Sequence, residues 1–501
     1  MTATPIPKPV RTHDELAVLI RKQIGNRLFV SVSNREPFVH SRSPDGTVQV
    51  RAAVGGLTLA LNSVMQAVGG IWVAHGDGNA DRETADARGR VAVPPDAPSY
   101  ELQRVWLEQA EHERYYSGFA NQALWPLCHI AFTKPVFRQD HWEAYRSVNT
   151  KFAEAVAGVV GDREAIVFVQ DYHFALLPTL IRQRCPRATI LHFWHIPWPL
   201  PDILRVCPWS PELLDGLLDN DVLGFHTPDY AERFLAAASA RPGWRSAGQD
   251  ILERKDSRIC VRPFPISIDF DGISAKAAGT DCDAAVDRLR KRYGLAGKFI
   301  VLGLDRIDYT KGVIERLQAV ERLLGLHPEM RGRLVYLNAG APSRNDIPAY
   351  QQLHRSMDEL ETRINATYGG SYGNPVVSIK EQLPESDVLA LYRLADVCAV
   401  SSLEDGMNLV AKEYIAARND NGGRLLLSEF TGAAWELPGA ETFNPFAIDA
   451  FSERLLAMSE PDSGQSAERM RKLRQHVREH TIYGWIGSIL ETLQSSGRTS
   501  G

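Results

Sequence analysis

Short runs of β-branched and aromatic residues alternate with longer amphipathic stretches along nearly all of this chain, and that alternation limits the fold more than any other feature. The strand-like runs are Leu28–Ser33, Gly70–Ala74, Ala165–Val169, Thr189–Trp194, Val222–His226 and Ile259–Arg262, followed by Phe299–Leu304, Leu334–Asn338, Val376–Ile379, Val397–Val400 and Arg424–Ser428. Between them lie helix-like stretches, such as the one that sets Leu57, Leu61, Val64, Met65 and Val68 on one face. Strands separated by helices predict parallel sheets covered on both sides, an α/β fold.

The apolar periodicity breaks near Ile268–Lys291, where Asp, Gly and Ala take over. Two α/β lobes with a cleft between them follow as the expectation. The last helix-like stretch, Ser466–Ser495, has no strand after it and is expected to cross back to the first lobe. Residues 1–12 and 496–501 read as disordered ends.

Bulk properties narrow the function. A chain of 501 residues exceeds one ordinary core. Hydrophobic residues make up 44% and charged residues 23%, the balance of a soluble globular protein. A net charge of -5 argues against a broad basic face for nucleic acid. No apolar run approaches the roughly 18 residues that a membrane span needs, and the first residues lack the apolar centre of a signal peptide. The six cysteines (128, 185, 207, 260, 282, 398) are scattered without a C-x-x-C pair, which suits a reducing cytoplasm.

The chemistry concentrates at strand ends. Asp405-Gly-Met-Asn-Leu-Val-Ala-Lys-Glu413 follows the run Val397–Val400 and opens a helix. A helix start offers unpaired N–H groups and the positive end of a dipole, a seat for phosphate. Glu413, two turns in, is placed to take a ribose diol, so the segment reads as a seat for a nucleotide sugar. Arg306 and Lys311 lie just after another strand, where two cations could neutralise a departing diphosphate; a solvated loop is the plain alternative. Arg344 in Ala341-Pro-Ser-Arg and Arg35 in Ser31-Val-Ser-Asn-Arg close strands in opposite lobes and could clamp one phosphate, or could serve in ordinary salt bridges.

Gly55-Gly56 at the start of the first long helix would let a ligand approach the backbone, or would simply make a tight connection. The aromatic segment from Tyr115 and Tyr116 to Trp125 suits a sugar-phosphate pocket or a core patch. Asp171 and His195 follow two successive strands of the first lobe, where open α/β sheets hold ligands. The cysteines form no C-x-x-C pair and no Walker lysine loop is present, so metal ligation is poorly supported and P-loop chemistry is not indicated. A glycosidase with Asp171 and Asp405 as facing carboxylates stays open, although a diphosphate clamp would be idle in it.

Taken together, Ser-Asn-Arg35, Gly-Gly-Leu57, Tyr116 with Leu-Trp125-Pro, Asp171-Tyr-His, His195-Ile-Pro, Arg306-x-Asp-Tyr-x-Lys311-Gly, Pro-Ser-Arg344 and Asp405-Gly-Met-Asn-Leu-Val-Ala-Lys-Glu413 resemble the trehalose-6-phosphate synthase family of retaining glycosyltransferases. The resemblance runs from about Leu28 to about Trp485. It implies a GT-B fold: two Rossmann-like domains with parallel sheets facing across a cleft and a C-terminal helix crossing back. The expected domains are 13–267 with the returning helix 477–495, and 268–476.

The implied reaction moves glucose from UDP-glucose to glucose 6-phosphate, without metal or other cofactor, giving α,α-trehalose 6-phosphate and UDP. By motif, Arg306 and Lys311 would hold the donor diphosphate with Gly56 beside it. Glu413 would take ribose, with the backbone of Asn408, Leu409 and Val410 near phosphate and ribose. Leu383 and Val388 would line the uracil pocket. Asp405 and His195 would meet donor-glucose hydroxyls, Arg35, Tyr116, Trp125 and Arg344 the acceptor phosphate, and Asp171 the acceptor sugar. The expected partners are these two small molecules and further copies of the chain in a homo-oligomer, with neither nucleic acid nor membrane.

The chain departs from the family pattern at Gln170, often His, at Glu404, often Arg, in the long loop Glu36–Val54, and in Ala-His-Gly-Asp-Gly after Trp72. Three further readings follow: a transferase for another phosphorylated acceptor such as glycerol 3-phosphate or a cyclitol, a non-catalytic sugar-phosphate binder, and a glycoside hydrolase.

Overall fold

The computed structural model describes residues 10–52, 56–130, 132–255, 257–344, 346–461 and 464–495. The chain divides into two compact units, residues 1–266 with 481–501, and residues 267–480.

The first unit carries β1 (Leu28–Arg35), a hairpin of β2 (Phe38–Arg42) and β3 (Val48–Ala52), then β4 (Ile71–His75), β5 (Arg90–Val93), β6 (Tyr100–Val105), β7 (Ala165–Gln170), β8 (Thr189–Phe193), β9 (Val222–Phe225), β10 (Arg245–Gly248), β11 (Ile251–Arg254) and β12 (Ser257–Pro263). Apart from the hairpin they form one ten-stranded sheet in the order β10-β11-β12-β9-β8-β7-β1-β4-β6-β5. From β12 to β6 every pairing is parallel, and antiparallel strands close both edges.

The parallel strands are buried on both faces, as continuous apolar runs such as Ala165–Val169 require. Helix Gln139–Val160 buries Trp142, Tyr145, Val148, Phe152, Val156 and Val159, a stripe at helical spacing. In helix Gly56–Val68 the expected face is found at Leu61, Val64 and Met65, all buried.

The second unit holds β13 (Phe299–Leu304), β14 (Leu334–Ala339), β15 (Val376–Ile379), β16 (Val397–Val400), β17 (Arg424–Ser428) and β18 (Glu441–Phe443) in the order β15-β14-β13-β16-β17-β18, all parallel. This is the Rossmann order, and its strand sequence reverses between β13 and β16. The first unit reverses likewise between β1 and β7. Loops leaving neighbouring strands turn to opposite faces at such a point and leave room for a ligand at the carboxyl ends.

Three local expectations change. The stretch Ile268–Lys291 contains two helices, Phe270–Ala277 and Thr280–Arg292; Asp269 caps the first by accepting from the Gly272 N–H at 3.1 Å. Their Ala and Asp content thins the apolar stripe without preventing helix. The C-terminal stretch is two helices, Gln465–Glu479 and Ile482–Ser495. His480 leaves helical geometry (φ -114°, ψ 88°), and the Thr481 hydroxyl accepts the Gly484 N–H at 3.3 Å to start the second. Only this second helix joins the first unit, where Trp485 meets Phe193 edge-on at 5.0 Å. At the amino end Thr12 forms a capping box with Glu15 on helix His13–Ile24, so order begins before residue 13; residues 1–9 and 496–501 lie outside the described residues.

A buried ion pair fixes the reversal point of the second unit. Arg316, 1% exposed on helix Val313–Leu326, donates to Asp305 at 2.7 Å and to the Ala399 carbonyl at 2.9 Å, joining the ends of β13 and β16. Removing one partner would strand a buried charge. Asp305→Ala is therefore expected to cost about 3–5 kcal/mol of stability, read as a lower urea midpoint. The apolar pair Asp305→Leu with Arg316→Met should lose far less, and an unchanged midpoint in Asp305→Ala would refute the role.

Candidate active site

In the second unit the motif residues gather at the reversal point. A 3-10 turn, Tyr309–Lys311, follows β13 and ends at Gly312, whose φ of 61° is left-handed. A Cβ there would collide with the Ser401 carbonyl oxygen, so only glycine lets the loops after β13 and β16 touch. Ser401 reinforces the contact by donating its hydroxyl to the carbonyls of Lys311 and Gly312, each at 2.9 Å.

The Lys311 ammonium then reaches Asp405 at 2.6 Å, and the same carboxylate oxygen accepts from Ser402 and Asn408, each at 3.1 Å. Asp405 is itself clipped to the chain beyond β17: its N–H donates to the Phe430 carbonyl, and its carbonyl accepts from Gly432 N–H, both at 3.0 Å. Gly432 sits against the Gly406 backbone with no space for a side chain.

Asn408 (φ 92°) caps helix Leu409–Ala417 by accepting the Ala411 N–H at 3.0 Å. The N–H groups of Leu409 and Val410, in its first turn, are the ones such a helix leaves for an anion. Glu413, one turn further, accepts from the buried Tyr392 hydroxyl at 2.8 Å. Burial pushes its carboxyl up to about 7, against the opposing pull of that hydroxyl. Val388 lies one turn before Tyr392 on helix Glu385–Leu394, on the same face, with Leu383 in the loop just ahead; both are half-buried.

Arg306 is exposed at the β13 end, while Arg344 is occupied within its own unit. Arg344 (φ 53°) donates to Asp308 at 3.1 Å and to the Tyr350 hydroxyl, and Tyr350 donates to Asp308 at 2.7 Å. Burial would raise the Asp308 carboxyl, but Arg344, Arg306 and the Tyr350 hydrogen bond hold it below the usual carboxylate range. Neither Asp308 nor Tyr350 was singled out from the sequence. Asp308 stands inside the Arg306–Lys311 motif and was within reach, whereas nothing marks Tyr350.

The first unit builds its cluster at the β1/β7 reversal. Residues Glu113–Leu124 form a π-helix, with Asn121 and Gln122 side chains donating to carbonyls five residues back, Tyr116 at 2.7 Å and Ser117 at 2.9 Å. Two consecutive tyrosines thereby meet two consecutive residues of β1: Tyr115 donates to Asn34 at 2.9 Å, and Arg35 donates to the Tyr116 hydroxyl at 3.0 Å. Tyr116 is sandwiched between His112 (5.2 Å) and His173 (5.7 Å), and His75 extends the stack behind His112 at 4.9 Å. Trp125 is buried, with its ring 4.0 Å from His129 and 5.9 Å from Tyr172.

Asp171 follows β7 at φ 74°, and one carboxylate oxygen accepts from the N–H groups of Tyr172 (2.9 Å) and His195 (3.2 Å), tying the ends of β7 and β8. A non-glycine residue in this region stores strain of the kind that clusters at ligand sites. His195 pairs its Nε2 with the Gln170 side-chain oxygen at 2.9 Å; burial, then the nearby His226, His192 and His173, keeps the ring neutral.

Behind Arg35 lies a buried polar network that sequence reading missed. Arg104 donates to Glu36 at 2.8 Å and pairs with Asp81 and His40 at 2.7 Å each, and the His40 N–H donates to Asp81 at 2.8 Å. Burial, then the hydrogen bond with Asp81, pushes Glu36 up to about 9. The network fastens the β2–β3 hairpin, most of the long Glu36–Val54 loop, beside the β1 end. Gly56 opens the next helix, and Gly55 with the loop's last two residues lies outside the described residues.

Each half thus has a chemistry. The second unit offers cations, a helix start and a carboxyl near ribose reach, a set for a nucleoside diphosphate. The first offers a guanidinium, a phenol and a carboxylate for a phosphorylated, hydroxyl-rich molecule. Among the described residues no three His, Cys, Asp or Glu side chains converge as a metal site would need.

Known proteins share this architecture. Among curated proteins, the trehalose-6-phosphate synthase of Mycolicibacterium paratuberculosis is 37% identical over 487 residues, 95% of this chain and 97% of that protein. Among solved structures, an α,α-trehalose-phosphate synthase (UDP-forming) from Burkholderia xenovorans in complex with glucose-6-phosphate superposes with a TM-score of 0.82 at 28% identity, over 93% of this chain and 100% of that one. An E. coli structure bound with UDP-2-fluoro glucose gives 0.82 at 28% identity, over 93% and 98% of the two chains. The model of glycosyltransferase family 20 matches residues 27–495, and this chain belongs to that family.

Proposed function

We propose that this chain is a retaining glucosyltransferase that moves glucose from UDP-glucose to glucose 6-phosphate, giving α,α-trehalose 6-phosphate and UDP. The observation that carries the reading is the Lys311–Asp405 pair, 2.6 Å apart and just ahead of a capped helix start, with Glu413 in that helix. Lys311 has three N–H donors and Asp405 takes one, so the ammonium can serve a diphosphate and the acid together.

In this reading Arg306, Lys311 and the N–H groups of Leu409 and Val410 receive the charge that grows on the departing diphosphate. Glu413 grips ribose, Leu383 and Val388 flank the base, and Gly56 sits beside the diphosphate. Asp405 and neutral His195 hold donor-glucose hydroxyls. Arg35, Tyr116, Trp125 and Arg344 serve the acceptor phosphate, and Asp171 the acceptor sugar. The anomeric C–O bond to phosphate breaks, and a new bond forms to the acceptor oxygen on the same face. The departing phosphate oxygen takes the acceptor proton. For Arg344 to reach a phosphate it must share its guanidinium with Asp308, which its five N–H donors allow. The six buried, unbridged cysteines favour a reducing cytoplasm.

Turnover is tested by UDP release from UDP-glucose with glucose 6-phosphate, with glycerol 3-phosphate as competing acceptor. Absence of UDP release with glucose 6-phosphate would refute the reading. Arg306→Ala is expected to lower kcat about 100-fold or more, the loss of about 3 kcal/mol of transition-state stabilisation. Arg35→Ala should raise the KM for glucose 6-phosphate while leaving UDP affinity unchanged; a raised UDP Kd would contradict the division of roles.

A pH prediction follows from Glu413. Only its ionised form accepts two ribose hydroxyls, and it protonates as pH falls through about 7. UDP-glucose affinity, measured by calorimetry, should therefore weaken severalfold from pH 8 to pH 6. Glu413→Gln should bind more weakly and without that slope, and a slope that survives the substitution would exclude Glu413 as its source.

A further inference from the structure

We propose that Gln170 is a positioning residue: it fixes the tautomer of His195 so that the imidazole meets the donor sugar as a hydrogen-bond acceptor, through Nδ1. The donor sugar as occupant rests on the function proposed above; the tautomer does not.

Gln170 is the last residue of β7, 1% exposed, and its Oε1 lies 2.9 Å from His195 Nε2. An amide oxygen only accepts, so the ring proton must sit on Nε2. A neutral imidazole carries one such proton, which leaves Nδ1 with a bare lone pair. Glutamine cannot ionise, so it directs the proton without drawing a charge onto the ring, as a carboxylate in its place would. The Gln170 Nε2 has no acceptor among the described residues, so among them the side chain's hydrogen bond goes to His195.

The surroundings hold the ring still and neutral. The His195 N–H donates to Asp171 at 3.2 Å, and its carbonyl accepts from His226 Nε2 at 3.1 Å. The rings of Phe193 (4.5 Å), His226 (5.5 Å) and Trp485 (6.1 Å) pack about it. The titratable groups facing it are His192 from β8, His226 after β9, and His173 and Asp171 after β7. The three histidines oppose a positive ring, and the Asp171 oxygen nearest His195 is engaged by its backbone N–H and that of Tyr172.

The test combines histidine nitrogen NMR on the whole enzyme, His195 being assigned by loss of its signal in His195→Asn, with kinetics of Gln170→Leu and Gln170→Glu. The wild type is expected to show His195 protonated on Nε2 from pH 6 to 8. Gln170→Leu should show both tautomers and lower kcat/KM for UDP-glucose about tenfold, one hydrogen bond's worth, with UDP affinity within about twofold of wild type. Gln170→Glu should keep the Nε2 proton but shift the acid limb of the pH profile upward by about one unit or more. An Nδ1-protonated His195 in the wild type would overturn the proposal. So would a Gln170→Leu enzyme with one unchanged tautomer and unchanged kcat/KM. Should the wild type turn over no UDP-glucose, the donor reading fails, and the NMR arm still decides the role of Gln170.

Discussion

The Arg316 guanidinium, buried between Asp305 and the Ala399 carbonyl, is the interaction on which the second unit's site depends. A parallel sheet has no covalent link between neighbouring strands at its reversal point, because the chain leaves β13 and β16 in opposite directions. Something must pin those two ends together. A buried ion pair suits the task because its penalty for separation is large, although it adds little net stability against an apolar substitute. From it the order propagates outward: Gly312 lies on Ser401, Ser401 bonds the Lys311 carbonyl, and Lys311 reaches Asp405. The reactive cations are thus held by a chain of short contacts that begins in the core.

Both units solve the same problem with different materials. The first braces each side of its reversal point separately: the Asp171 carboxylate bridges the backbones after β7 and β8, and the tyrosine pair meets Asn34 and Arg35 at the end of β1. The second presents charge and helix N–H groups, whereas the first presents rings, hydroxyls and one exposed guanidinium. That division matches a donor whose leaving group is a diphosphate and an acceptor whose body is a sugar.

Much of this was legible in the chain. The buried parallel strands announce themselves, because runs such as Ile166–Val169 and Val397–Val400 are apolar throughout and short. Several site motifs were legible for a related reason: Asp171, His195, Arg306 and Asp405 stand just after such runs, where α/β sheets put their ligands, whereas Gly56 and the Tyr116–Trp125 segment do not. The hairpin of β2 and β3 went unread although Asp45-Gly46 and the alternation Val48-Gln-Val-Arg-Ala52 mark it, since every residue of β3 is exposed and no buried run draws attention to it. The edge strand β10, exposed throughout, went unread as well. Partnerships between distant residues were invisible too. The sequence leaves Arg344 between a phosphate clamp and a salt bridge without naming its partners Asp308 and Tyr350, and nothing in sequence links Glu36 to Arg104, 68 positions away. Pattern reveals what is periodic or local, and these pairs are neither.

The π-helix from Glu113 to Leu124 carries one more implication, for how this segment tolerates length changes. Its wider winding spends extra residues on each turn compared with an ordinary helix. Loss of a single residue between Ser117 and Gln122 would allow the tighter winding to take over and rotate everything upstream of the deletion about the axis. Tyr115 and Tyr116 would then swing off Asn34 and Arg35 together. The segment should therefore tolerate no change of length.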